Sequence, residues 1–248
     1  LGVIITPKQV GGRTSQKEIN VIGTMQLLAA CQRAESLKRF VVKSSSAVYG
    51  SSPRDPAMFT EDMSAKRMPG SGWARDSVEV EGYVRGLSRR REDIEITTLR
   101  FANVIGPRIR TAFTDHFSLP VIPIPFGFDA RLQFVHEDDC VAAIARAVSL
   151  PGLGAVNVAG DGIITVSQAA NIAGRPYVLV PRMATGSITD LAKRFGLMDI
   201  GSDQVDLLSF GRGLDTRRMR EDLGFEPVGA LLAQPAAAVD AHRRGRGD

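Results

Sequence analysis

Arg39-Phe-Val-Val-Lys-Ser-Ser-Ser-Ala-Val-Tyr-Gly50 runs from a short, largely apolar stretch directly into a Ser-rich turn. An apolar run of that length, closed by turn residues, reads as a buried strand (Arg39 to Lys43) whose exit turn begins at Ser44. Before it, Glu18 to Ala34 carries Ile19, Ile22, Leu27, Ala30 and Cys31 at helical spacing, after a Gly-rich polar loop that reaches Ser15. Val3 to Thr6, followed by Pro7, reads as the end of another buried strand. After it, residues 74 to 91 predict a helix with Val80, Val84 and Leu87 on one face, and Glu95 to Phe101 predicts the next strand. Leu132 to Val135 reads as a strand entering a helix from Asp139 to Val148 through an acidic first turn, and Ala155 to Val158 as a further strand. This alternation is that of an α/β protein with a doubly wound parallel, Rossmann-like sheet.

Two stretches break the rhythm. Leu119 to Asp129, with Pro120, Pro123 and Pro125, excludes regular helix and reads as a crossing between lobes. From Gly160 onward the pattern loosens into shorter helices, which predicts a smaller mixed lobe. The expected division is a dinucleotide-type domain over 1–110 and 131–160, and a substrate-binding lobe with a tail over 111–130 and 161–248.

Composition bounds the function. The 248 residues are 44% hydrophobic and 23% charged, which is ordinary for a globular chain. There is no apolar run of eighteen or more residues, and the start has neither an initiating Met nor a signal-peptide layout, so a soluble cytoplasmic protein without a membrane partner is expected. Cys31 and Cys140 fall in separate helical segments, which argues for a reducing compartment. His116, His136 and His242 are scattered and give no zinc spacing, so no metal is expected. The net charge of +4 is concentrated in Arg89-Arg-Arg91 and in the tail from His242 to Asp248. These read as a helix end and a solvated terminus, not as a nucleic-acid surface.

In open α/β sheets ligands bind beyond the carboxyl ends of the strands, and Ser44-Ser-Ser46 stands at such an end. Alone it is as well explained by an ordinary turn. It is not alone: Asn20-Val-Ile-Gly-Thr24 precedes it, and Arg100-Phe-Ala-Asn-Val-Ile-Gly-Pro107, Gln133-Phe-Val-His-Glu-Asp-Asp139 and Leu223-Gly-Phe-Glu-Pro227 follow. In this order and spacing the five motifs resemble the NAD-dependent epimerase/dehydratase family, extended short-chain dehydrogenase/reductases of the UDP-glucose 4-epimerase type. The resemblance implies NAD or NADP as cofactor, a nucleotide-sugar substrate held between a large and a small lobe, and a homodimer formed through a helical face. It implies a catalytic set of Ser45, Trp73 at the position of the family's Tyr, and Ser77 at that of its Lys. It places Gly2, Val3, Asn20, Ser44, Phe101 and Val104 on the cofactor side, and Ser46, Asn103, Arg131 and Gln133 on the substrate side. His136 is expected to anchor the strand end.

Two departures qualify the activity. The family's reaction needs a phenolate to remove a hydroxyl proton, with a Lys at i+4 on the same helix face to lower the phenol pKa and bind the nicotinamide ribose. Trp73, 28 residues after Ser45, offers an indole that only donates, and Ser77 brings no positive charge. No displaced pair exists: Tyr49, Tyr83 and Tyr177 are followed four residues later by Pro53, Leu87 and Pro181. None of the 25 glycines forms the G-x-x-G-x-x-G or G-x-G-x-x-G phosphate-binding pattern. Leu1-Gly-Val-Ile-Ile resembles the family's fourth strand, which puts roughly 60 residues of dinucleotide-binding structure upstream of residue 1. The sequence leaves open whether the chain is an active enzyme. One expectation is a catalytically impaired or fragmentary relative of the nucleotide-sugar epimerases and dehydratases; the alternative is a non-catalytic nucleotide-sugar binding or regulatory pseudoenzyme.

Overall fold

The computed structural model describes residues 13–66, 68–69, 72–109, 111–181 and 202–228. The expected strand at Val3 to Thr6, with Gly2 and Val3, lies outside them. The first half contains α1 (Arg13–Lys17), a π-helical turn (Glu18–Ile22), α2 (Gly23–Arg33), β1 (Arg39–Ser45), a 3-10 turn (Ser46–Tyr49), α3 (Gly72–Arg90), β2 (Glu95–Phe101) and β3 (Asn103–Ile105). Then come α4 (Ala112–Phe117), β4 (Ile122–Pro125), β5 (Arg131–Leu132), β6 (Phe134–His136), α5 (Glu137–Ser149) and β7 (Gly154–Val158). The last described elements are β8 (Ile164–Thr165), α6 (Val166–Ile172), β9 (Tyr177–Val180), α7 (Ser202–Phe210) and α8 (Arg217–Glu221).

The parallel sheet expected from the alternation is present, in the order β1-β2-β7 among the described residues. Its register sets Ser45 beside Phe101 and Phe101 beside Val158, so the carboxyl ends of all three strands finish together. Successive side chains of a strand point to opposite faces, and β1 follows the rule. Phe40 and Val42 pack with Leu28, Val80, Val84 and Leu87 of α2 and α3. Val41 points the other way, into a cluster holding Leu99, Phe101, Cys140, Ala143, Val156 and Met219. Fully burying one such Val or Leu side chain stabilises by about 1.5–3 kcal/mol, so both faces of the sheet are anchored.

A third apolar cluster is built from Phe113, Phe117, Ile122, Leu132, Phe134, Val166 and Leu207, drawn from both sides of the Pro-rich stretch and from beyond Gly160. The Pro-rich stretch is not helical; its Ile122–Pro125 segment is a strand paired parallel to β9.

Three sequence expectations change. The polar loop does not reach Ser15, because residues 13–17 are already helical. The buried face of the first helical stretch is not the apolar one: Ile19, Ile22 and Leu27 are 48, 48 and 42% exposed, whereas Gln16, Asn20, Val21, Thr24, Leu28 and Cys31 are buried. The π turn inserts into the helix and shifts its phase, and the inward face is mixed: Leu28 and Cys31 join the apolar cluster, while Asn20 hydrogen-bonds Asp76 of α3. The single strand expected over Leu132 to Val135 is two, β5 and β6, paired with β8 and β3 respectively and broken at Gln133.

The arginine run acts at a helix end, but on a neighbouring helix as well as its own. Arg91 donates to the carbonyls of Cys31, Gln32 and Ala34 at the C-terminus of α2 and pairs with Asp93, where a cation complements the helix dipole.

Gly211, directly after α7, closes the connection back to β5. Its φ is +73°, and a Cβ would lie 2.4 Å from the Arg131 carbonyl oxygen, which already accepts the Arg212 N–H at 2.9 Å. Gly211→Ala is expected to destabilise the fold by at least about 1–3 kcal/mol from the backbone conformation alone, with further loss from the clash. Urea unfolding of the variant beside the parent checks this.

Candidate active site

The carboxyl ends of β1 and β2, the start of α3 and part of α7 enclose two small adjoining clefts of about 110 and 50 Å³. Trp73, Asn103, Phe113 and Gln204 line both. The larger opens toward Ser51, Asp206 and Arg212, the smaller toward Lys43, Ser44, Ser45, Phe101 and Val104. Trp73 therefore stands with Ser45 at one cavity, where the spacing of the sequence put it.

The three serines have different partners because the chain turns between them. Ser45 is the last residue of β1, and its Oγ accepts the Ala47 N–H at 3.2 Å, capping the 3-10 turn. Its hydroxyl hydrogen stays available toward the cleft. Ser44 lies on the opposite face of the strand, buried, and donates to Glu81 Oε1 at 2.6 Å. Ser46 is buried too, and its Oγ accepts from Arg212 Nη1 at 3.2 Å. Arg212 also donates to the Gly50 carbonyl and to Ser51 Oγ, so Ser46 positions an arginine of the larger cleft and does not itself line either cavity.

Behind Ser44 is a buried network. Arg100 meets both Glu81 oxygens, at 3.1 and 2.8 Å, and donates to Tyr49 Oη at 2.8 Å; Tyr49 donates to Asn157 Oδ1 at 2.8 Å. The Tyr49 ring stacks on Phe59 with centroids 4.7 Å apart. Burial pushes the Tyr49 phenol above its ordinary value, although the adjacent Arg100 guanidinium pulls it back. Arg100 is held charged: its hydrogen bonds and attraction to Glu81 outweigh its own desolvation. Tyr49 is thus a buried structural phenol that lines neither cleft.

Several expected site residues are placed elsewhere or used differently. Ser77 is buried and donates to the Trp73 carbonyl at 2.8 Å, one turn back along α3, and does not line either cleft. Asn20 bonds Asp76 at 3.2 Å behind the α3 start, away from both cavity walls. Gln133 is fully engaged by backbone: its Nε2 donates to the Gly160 carbonyl and its Oε1 accepts the Leu214 N–H. Arg131 is exposed and pairs through its backbone with Thr165. Neither of the last two reaches the clefts, because the chain break at residue 133 turns Gln133 into the clasp between β6 and the segment after α7. Asn103 does line both clefts while donating to the Gln133 carbonyl at 3.0 Å, and Phe101 and Val104 wall the smaller one. His136 caps α5, its Nδ1 accepting the Asp138 N–H.

Sequence reasoning missed Lys43, Thr111, Gln204 and Arg212. A signal for Lys43 was there: it lies two residues before Ser45, hence on the same face of the strand. Burial lowers the Lys43 ammonium below the ordinary lysine value, with the Cys140 thiol opposing that shift, while burial pushes Cys140 up to about 12. Among the described residues no group of three metal-ligating side chains occurs, and no helix is long and apolar enough to cross a membrane.

Removing Glu81 strands the Arg100 charge and the Ser44 hydroxyl. Glu81→Ala is expected to cost about 3–5 kcal/mol, and Tyr49→Phe only about 1 kcal/mol, both measured by chemical denaturation.

The model of the NAD dependent epimerase/dehydratase family matches residues 7–159. An uncharacterized protein of Mycobacterium tuberculosis is 46% identical over 237 residues, 96% of this chain and 62% of that protein. A UDP-glucose 4-epimerase of Mycolicibacterium smegmatis is 28% identical over 237 residues, 91% of this chain and 68% of that protein. The chain thus spans about 62% of the length of its 46%-identical mycobacterial relative. Among solved structures, MoeE5 in complex with UDP-glucose and NAD aligns with TM-score 0.69 and 21% identity, covering 100% of this chain and 79% of that one. DesIV, a dTDP-glucose 4,6-dehydratase from Streptomyces venezuelae with NAD and TYD bound, aligns with TM-score 0.71 and 20% identity, covering 100% and 73%; these two likenesses show the fold. With the matched family model spanning the sheet, the serine turn and α3, the chain belongs to the NAD-dependent epimerase/dehydratase family.

Proposed function

We propose that this chain carries the catalytic face of an NAD- or NADP-linked nucleotide-sugar epimerase or dehydratase, in which the conventional phenolate step is lost. The observation that carries this is the pair on α3. Trp73 occupies the cavity beside Ser45, and Ser77 turns its hydroxyl back onto the Trp73 carbonyl. Neither side chain can take a proton at neutral pH or supply a cation. Losing a general base removes a factor of about 10² to 10⁴ in rate.

The remaining site suits a nucleotide sugar. The larger cleft, with Arg212 and Asn103, offers a cation and an amide to phosphate and sugar oxygens. The smaller has the flat apolar walls of Trp73, Phe101 and Val104 beside Ser45, which fit a planar nicotinamide ring. When bound, that group supplies hydride transfer; this chain's share is to hold the sugar hydroxyl at Ser45 and to exclude water with Trp73 and Phe113. In this reading residues 111–130 and 161–248 form the substrate lobe. The exposed Ile19 and Ile22 on the π turn and Met25 and Leu27 on α2, with Tyr83 on α3, support pairing of two copies through this helical face.

Titration calorimetry of the chain with UDP-glucose and with NAD, each alone, tests the binding. UDP-glucose heat is expected; UDP-glucose binding with neither NAD binding nor turnover would favour a regulatory, non-catalytic protein. In the full-length product, Trp73→Tyr with Ser77→Lys is expected to raise NAD-linked turnover by about 10² to 10⁴. A well-folded double variant with no gain would show the register of α3 to be wrong.

A further inference from the structure

We propose that the Lys43 amine is the proton-accepting group of the smaller cleft, taking the proton of a substrate hydroxyl held at Ser45. This rests on the nucleotide-sugar reading of the site.

Lys43 and Ser45 are two residues apart on β1, so their side chains leave the same face about 6.6 Å apart along the strand. Both line the cleft that Trp73 closes. A lysine at this place is unusual for its surroundings: Val42 before it is fully buried, and Leu99, its partner in register on β2, is fully buried as well. Lys43 is half-buried, and no hydrogen bond or ion pair to it occurs among the described residues. An ammonium so placed has lost water without gaining a partner, which favours the neutral amine.

The groups around it keep it that way. From α5 the Cys140 thiol faces it, held protonated by burial and by the nearby Asp139 and Glu137 carboxylates, of which Glu137 pairs with Arg108 and Asp139 accepts the Val228 N–H. From α3 the carboxylates are committed elsewhere: Glu81 to Ser44 and Arg100 on the far face of β1, and Asp76 to Asn20. The cleft wall adds hydroxyls and amides from Ser45, Thr111, Asn103 and Gln204, but among the described residues no carboxylate or second cation. Desolvation outweighs the opposing Cys140 effect and lowers the Lys43 pKa from the ordinary lysine value, the direction a base needs. Trp73 and Ser77 leave the site without its usual ionisable pair, and Lys43 is the ionisable group that this cavity contains among the described residues.

The step balances. The O–H bond of the sugar alcohol breaks and an N–H bond forms, so the neutral amine becomes an ammonium. The oxygen electron pair closes the C=O bond as the carbon's hydride leaves to the oxidised nicotinamide dinucleotide. Returning hydride and proton regenerates the amine, with no external oxidant consumed.

The test does not depend on turnover. The full chain is acetylated with trace acetic anhydride across pH, with and without UDP-glucose, and each lysine is quantified by peptide mass spectrometry. Lys43 is expected to become reactive at lower pH than an ordinary lysine. UDP-glucose at ten times its Kd leaves about one tenth of the sites open, so Lys43 labelling is expected to fall about tenfold while Lys17 and Lys38 are unchanged. In parallel, Lys43→Met and Lys43→Arg are assayed for residual NAD-linked turnover, and both are expected to lose about 10² or more. The parent rate is expected to rise with pH through the Lys43 titration, since the neutral form is the base. If UDP-glucose does not bind at all, the nucleotide-sugar reading fails and this role with it. If it binds but Lys43 titrates as an ordinary lysine or stays unprotected, the Lys43 role alone is overturned. Full activity in Lys43→Arg would likewise overturn it, because a guanidinium supplies charge but cannot accept a proton at these pH values.

Discussion

The buried pair of Glu81 and Arg100 is the constraint on which the site depends. Two charges taken out of water are costly to hold, and they persist only when every donor and acceptor is met. Here Glu81 receives Ser44 and two guanidinium nitrogens, and Arg100 also reaches Tyr49 Oη and the Glu61 carbonyl. The pair thereby fastens α3 to the ends of β1 and β2. It also fixes the rotation of β1 about its own axis: with Ser44 turned to Glu81, alternation directs Lys43 and Ser45 to the cleft. The Val-Tyr-Gly part of the serine motif is explained by the same network, since Tyr49 links Arg100 to Asn157 of β7.

Much of the scaffold was legible because its elements are long, periodic and two-sided. Val80, Val84 and Leu87 face the sheet as their spacing predicts, and β2 spans the residues read as a strand. The first helical stretch was misread for a physical reason: its π turn changes the phase, so that polar Gln16, Asn20 and Thr24 share the inward face with Leu28 and Cys31 while Ile19, Ile22 and Leu27 look outward. Short strands around Gln133 carry too few residues for periodicity to register a break. At the site, the family resemblance picked out Ser45, Trp73, Asn103, Phe101 and Val104, which line the clefts. It could not say that the polar atoms of Ser44, Ser46, Asn20, Ser77 and Gln133 would be taken up by partners within the chain, because those partners lie 4 to 166 residues away. Lys43 escaped notice for the opposite reason, being counted as one more residue of a buried strand.

Membership of the family speaks for the fold. The two clefts lie at the carboxyl ends of the strands, as the fold dictates. Fold and activity are set by different residues, so the activity has to be argued from the side chains at the start of α3 and the end of β1.

The Ser77 hydroxyl closes onto the Trp73 carbonyl within its own helix. A buried hydroxyl needs a partner, and this one finds it one turn back along its own backbone, so its satisfaction asks nothing of any neighbouring element. The position is therefore insulated: a change in the surrounding cleft does not leave this oxygen orphaned.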